Sequence, residues 1–136
     1  MRPLGLNPAK PLSQYIISVW DKNEGLPSQS LTEIYQGSDG YLWVSSYNGL
    51  YRFDGVDFKT FAKTEKGILR TNSFSKAKER ADGLLFLGTG GSGLLTYEKG
   101  EFSVFGGDHP RFNAPISSFH FVKNNQVWVG SRGSGL

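Results

Sequence analysis

The chain has 136 residues, 38% hydrophobic and 14% aromatic, with 18 glycines, a net charge of +3 and a sequence pI near 9.2. That length suffices for one ordinary domain core, the composition is globular rather than disordered, and the absence of cysteine excludes disulfides and thiolate metal sites. The basic excess is mild: its local cluster, Lys63, Lys66, Arg70, Lys76, Lys78 and Arg80, reads as solvated surface, because a nucleic-acid footprint needs its basic residues gathered on one face.

Residues 1–14 hold three of the six prolines and no periodicity, and they read as a lead-in. They lack the apolar run of a signal peptide, and no stretch approaches the ~18 apolar residues of a membrane span. Tyr15 to Trp20 is then predicted as a strand standing where the outer strand of a preceding unit would lie. Asp21 to Pro27 connects to a first inner strand, Leu31 to Gln36, and Ser38-Asp39-Gly40 supplies residue types suited to a tight hairpin turn. Tyr41 to Ser45 follows as an apolar strand covered on both faces. After the loop Ser46-Tyr47-Asn48 come Gly49 to Phe53, a turn at Asp54-Gly55 and an outer strand Asp57 to Phe61.

The chain then repeats itself. Trp43, Phe86 and Trp128 lie 43 and 42 residues apart, and Leu50, Leu94 and Leu136 lie 44 and 42 apart. Ala81-Asp82-Gly83 and Lys123-Asn124-Asn125 occupy the hairpin position of the second and third copies. A period of ~40–45 residues marks four-stranded propeller blades. The fold class is therefore all-β: blades of four antiparallel strands, about 31–61, 74–105 and 116–136. The third is truncated, so residues 15–136 hold about two and a half blades plus one N-terminal strand. Known propellers close with ~4–8 blades, so the chain is expected to be a fragment that self-associates through open blade edges.

Trp20, Gly25-Leu26-Pro27, Asp39-Gly40-Tyr41-Leu42-Trp43-Val44, Gly49-Leu50-Tyr51-Arg52-Phe53-Asp54-Gly55 and Phe58 together resemble the two-component regulator propeller repeat, from about Tyr15 to the end. Phe86 stands where that family prefers Trp, and Ser45 where it prefers Gly. The resemblance implies part of a periplasmic sensor propeller of a bacterial receptor, which continues to a histidine kinase or diguanylate cyclase. It implies neither an enzyme nor a bound cofactor.

Gly88-Thr89-Gly90-Gly91-Ser92-Gly93 matches a dinucleotide fingerprint, but the chain reaches Gly100 too soon for the helix that such a site needs. His109 and His120 have no second ligand at metal spacing, so no metal site is expected. Asp39, Asp54 and Asp82 read as turn formers. A propeller enzyme would need polar catalytic groups on its inner strands, and Leu31, Ile34, Phe74 and Phe119 argue against one. The longer loops fall at the end opposite the hairpin turns, and function favours loops on a rigid scaffold. Tyr47, Asn48, Arg70, Asn72 and Arg132 are therefore the candidate ligand-binding residues, for a small molecule or glycan fragment. Nucleic acid and membrane insertion are not expected partners. The competing reading is a protein–protein interaction or self-assembly module without a small-molecule ligand.

Overall fold

The computed structural model describes residues 11, 13, 17–64, 67–107, 109–110, 114–133 and 135. The first sheet runs β1 (Leu31–Gln36), β2 (Leu42–Ser46), β3 (Gly49–Phe53) and β4 (Phe58–Phe61); the second runs β5 (Phe74–Glu79), β6 (Leu85–Thr89), β7 (Leu94–Glu98) and β8 (Glu101–Val104). In the third, β9 (Ile116–Phe121) pairs with β10 (Val127–Ser131). Neighbouring strands are antiparallel throughout. The fold is an incomplete propeller.

Turn chemistry fixes each hairpin. Gly40 and Gly83 take φ of 89° and 87°, and their amides close onto the carbonyls of Gly37 and Arg80, both at 2.9 Å. The third copy has no glycine there, and Asn124 and Asn125 adopt φ of 63° and 59° instead; asparagine is among the few side chains that tolerate this region. The aspartates act as expected. Asp39 Oδ1 accepts from the amide of Tyr41 at 3.1 Å, and Asp54 Oδ1 accepts from those of Val56 and Asp57, both at 2.8 Å.

Because successive side chains point to opposite faces, strand register decides which residues meet between blades. Trp43, Leu50 and Phe61 of the first sheet share a buried cluster with Phe74, Ala77, Leu85, Leu87, Leu95, Tyr97 and Phe102 of the second. Phe86, Leu94 and Phe105 of the second sheet pack likewise with Ile116, Phe119, Phe121, Val127 and Val129 of the third. Trp43 and Phe86 thus face the blade that follows, and the Phe86 neighbours Leu85 and Leu87 face the blade before. Trp43 is 2% exposed and Phe86 is fully buried. Trp128 has no following blade among the described residues and is 56% exposed.

The seams also carry polar locks. In every sheet the register shifts once, leaving Thr32, Ser75 and Ser117 as the extra residues of β1, β5 and β9. Such a bulge re-aims its side chain. Thr32 Oγ1 donates to the Phe74 carbonyl at 2.8 Å and Ser75 Oγ to the Ile116 carbonyl at 2.6 Å, both across a seam. Ser117 Oγ turns back to Gly130 in its own sheet, at 3.1 Å.

One expected element is not a strand. Of Tyr15 to Trp20, Tyr15 and Ile16 lie outside the described residues, and Ile17 to Trp20 join no ladder. A strand needs a partner for its amides and carbonyls, and these four residues pair with none of the described strands, Trp20 lying over the face of the first sheet instead. Trp20 packs there with ring centroids 4.7 Å from Phe53 and 5.9 Å from Phe58.

Candidate functional site

The antiparallel register gathers the longer loops at one end. Leu31 pairs with Ser46 and Leu50 with Phe61, so the start of β1, the β2–β3 loop and the exit of β4 share one end of the first blade. The second blade repeats this with Phe74 opposite Thr89, and the third with Ile116 opposite Ser131. The loop containing Tyr47 and Asn48, the connection containing Arg70 and Asn72, and the loop containing Arg132 therefore emerge on the same side.

Their backbones are pinned. Asn48 donates its amide to Ser46 Oγ at 3.0 Å, Arg70 to Ser92 Oγ at 2.9 Å and Arg132 to the Pro115 carbonyl at 2.8 Å. Ser92 is held in turn, its amide donating to Thr89 Oγ1 at 2.8 Å while Thr89 Oγ1 donates to the Gly93 carbonyl at 2.7 Å. Gly90 is required here, since a Cβ would come within 2.9 Å of the Ser73 Cβ. The Gly88–Gly93 run thus serves loop closure and blade contact.

The five candidates do not behave alike. Tyr47 is 61% exposed, and Asn48, Arg70 and Arg132 are exposed as well. Asn72 is half-buried, and its Oδ1 accepts from the Lys63 amide at 2.9 Å, tying the two ends of the connection together. Its amide oxygen is therefore engaged in structure. Tyr47 and Asn48, Arg70, and Arg132 sit on successive blades, one group per loop cluster.

Two hollows lie elsewhere. One of about 130 Å³ opens between the hairpin turns of the first seam, with Asp39, Glu79, Glu98 and Lys99 at its rim; Glu79 Oε2 accepts there from the Ser38 amide at 2.9 Å. The sequence gives no sign of this place, because Asp39 reads as a turn former, Glu79 and Glu98 end strands, and only the seam brings the two blades' turns together. A wider hollow of about 500 Å³ lies between the first connection and β8, lined by Thr64, Ile68, Leu69 and Phe102. Among the described residues, no group of three or more His, Asp or Glu could hold a metal ion.

Stacked four-stranded blades with a loop-rich end define a β-propeller module. Residues 25–48, which take in β1 and β2 of the first blade, match the family model described as "Two component regulator propeller". No curated protein matches the chain. Among solved structures it is similar to the extracellular domain of BT3049 from B. thetaiotaomicron, assigned as a hybrid two component system, with a TM-score of 0.70 and 23% identity over 85% of this chain and 17% of that one. It is also similar to the extracellular domain of BT4673 from the same organism, assigned as a one component system, with a TM-score of 0.62 and 25% identity over 78% of this chain and 15% of that one. The chain spans about one sixth of the length of these two neighbours. The fold is thus that of a β-propeller segment, similar to parts of these extracellular domains.

Proposed function

We propose that this segment is a non-enzymatic part of a periplasmic sensor propeller, and that it contributes one arc of a ligand-binding face at the loop-rich end. The observation that carries the reading is the separation of backbone from side chain there. The loops are hydrogen-bonded to the scaffold through Asn48, Arg70 and Arg132, while their side chains and that of Tyr47 stay exposed. Pinned loops bind with little ordering cost. An exposed phenol suits stacking on a polar ring, and the two guanidinium groups suit a carboxylate or sulfate, as found on acidic glycan fragments. The similarity to extracellular receptor domains supports both the location and the sensing role.

The test is a screen of neutral and acidic oligosaccharides against the full sensor domain by calorimetry, comparing Tyr47→Ala, Arg70→Ala and Arg132→Ala with an Asp82→Ala control at the hairpin end. Weaker binding in the arginine variants for acidic ligands alone is expected. Unchanged binding in all three loop variants, with loss in the control, would overturn the assignment of the face.

A further inference from the structure

The first blade carries a pair of like charges that the second blade does without. Register lines up Tyr35, Trp43, Arg52 and Lys59 across β1 to β4, so Arg52 and Lys59 stand directly opposite one another on the face turned toward the second blade. The same row of the second blade reads Lys78, Phe86, Thr96 and Ser103. Two neutral hydroxyl residues thus serve the fold at these positions, whereas like charges placed directly opposite are destabilising. A lysine alone would blunt the outer edge of β4, but that role leaves Arg52 behind it unexplained. Departures of this kind from local rules concentrate at functional sites.

The guanidinium of Arg52 is held in place. Its Cζ lies 4.3 Å from the centroid of the Tyr41 ring, with those of Trp43 and Phe61 at 5.8 and 6.0 Å, and Nη1 donates to Tyr97 Oη at 3.4 Å. Lys59 Nζ lies 5.2 Å from the centroid of Phe61, so both cations gather around one ring. Among the described residues neither cation has a carboxylate at ion-pair distance, the ion pair found there being Arg80 with Asp82. Asp54 Oδ1 is engaged by the amides of Val56 and Asp57, and Glu79, which faces the same seam, accepts from the amide of Ser38. The second seam shows such an arrangement complete. Arg80 Cζ lies 5.2 Å from the centroid of Phe86, the repeat equivalent of Trp43, and its Nε and Nη2 donate to the two oxygens of Asp82 at 3.0 and 2.6 Å.

We propose that Arg52 and Lys59 form a binding site for a carboxylate carried on a small ligand, at the hairpin side of the first seam. The guanidinium N–H groups that Tyr97 does not engage take the carboxylate in the forked manner in which Arg80 takes Asp82, and the Lys59 ammonium closes on the same oxygens. Lys59 is exposed and Arg52 partly so, which leaves the ligand a path from solvent. The two cations stand one ladder pair from the β3–β4 turn, whereas Leu50 and Phe61 mark the loop-rich end. This site is therefore separate from the face that holds Tyr47, Arg70 and Arg132.

The test is calorimetric titration of the full sensor domain with succinate and with a hexuronic acid disaccharide, the neutral disaccharide serving as control. The two acidic probes separate a free organic acid from an acid borne on a sugar. Arg70→Ala and Arg132→Ala are present throughout, so that the loop-end guanidinium groups contribute nothing. At least one acidic probe should bind, and the neutral one should not. Arg52→Gln and Lys59→Gln should each weaken that binding roughly tenfold or more, the scale of one charge-assisted hydrogen bond. Lys59→Glu sets a carboxylate beside Arg52 within the chain itself. It should abolish binding while raising the melting temperature, which separates loss of the site from loss of the fold. Failure of both acidic probes to bind, equal binding of the neutral control, a glutamine variant that binds like its parent, or a Lys59→Glu variant that still binds would each overturn the proposal. The loop-face reading rests on Arg70 and Arg132 instead, so the two can fail separately.

Discussion

The hydroxyl of Ser75 donates to the carbonyl oxygen of Ile116 in the next blade, at 2.6 Å, and it reaches that oxygen because Ser75 is the bulged residue of its strand. The bulge turns an inner-strand side chain out of the ladder and into the seam, where it satisfies a carbonyl beside the buried Ile116. Ser75→Ala should therefore lower stability by about 1 kcal/mol, the usual net worth of such a bond. Ser117→Ala loses only an exposed bond within its own sheet and should cost a few tenths. Chemical denaturation midpoints of the two variants check the contrast, and equal losses would contradict a seam-specific role.

Trp43 and Trp128 occupy the same repeat position in opposite surroundings, 2% and 56% exposed. Trp43→Ala should cost ~3–5 kcal/mol, as for other large aromatics removed from a core. Trp128→Ala should change the stability of the dilute monomer by less than about 0.5 kcal/mol. Thermal melts at low concentration compare them, and a large loss at Trp128 would mean that its ring is packed within the monomer.

Ser45 sits where the other two blades have Gly88 and Gly130, fully buried, with an Oγ that has no hydrogen-bond partner among the described residues. Burying an unpaired hydroxyl costs ~1–3 kcal/mol. Ser45→Ala keeps the Cβ that the seam has accommodated and should stabilise the fold by about 1 kcal/mol. Gly88→Ala should do the reverse: its Cβ would lie 2.6 Å from Ser75 Oγ and 3.3 Å from Ile116 Cγ2, displacing a hydroxyl already committed to a bond. A loss of ~1–3 kcal/mol is expected from such overpacking. The two midpoints should move in opposite directions.

Acid should weaken the turns. The amides of Asp57 and Val56 hold the Asp54 carboxyl below the ordinary value of 3.8, and the Arg80 guanidinium does the same for Asp82, through contacts of 2.6 and 3.0 Å. A carboxyl that titrates lower in the folded chain than in the unfolded one stabilises the fold above the unfolded value. That contribution is lost as pH falls through the lowered folded value. The melting temperature should hold steady from neutral pH to about 4 and then decline, and the decline should be shallower in an Asp54→Ala, Asp82→Ala double variant. An identical acid limb in both proteins would show that these turns do not couple folding to protons.

The sequence by itself determined the repeat. A period near 43 residues, aromatic anchors in register and turn residues such as Asp39-Gly40 and Asp82-Gly83 follow from local rules, because hairpin geometry and strand alternation are set by a few neighbouring residues. The register then placed Tyr47, Arg70 and Arg132 at one end. Contacts between blades needed the tertiary structure. That Thr32 and Ser75 are bulged and lock the seams and that Ser45 is buried without a partner among the described residues depend on atoms some forty residues apart or on the close approach of two sheets, and the Asn72 side chain meets the Lys63 amide only through the path of the connection between them. The stretch that reads as a strand before the first repeat was decided the same way: of its described residues, Ile17 to Trp20 pair with no strand, and Trp20 packs on the face of the first sheet through Phe53 and Phe58.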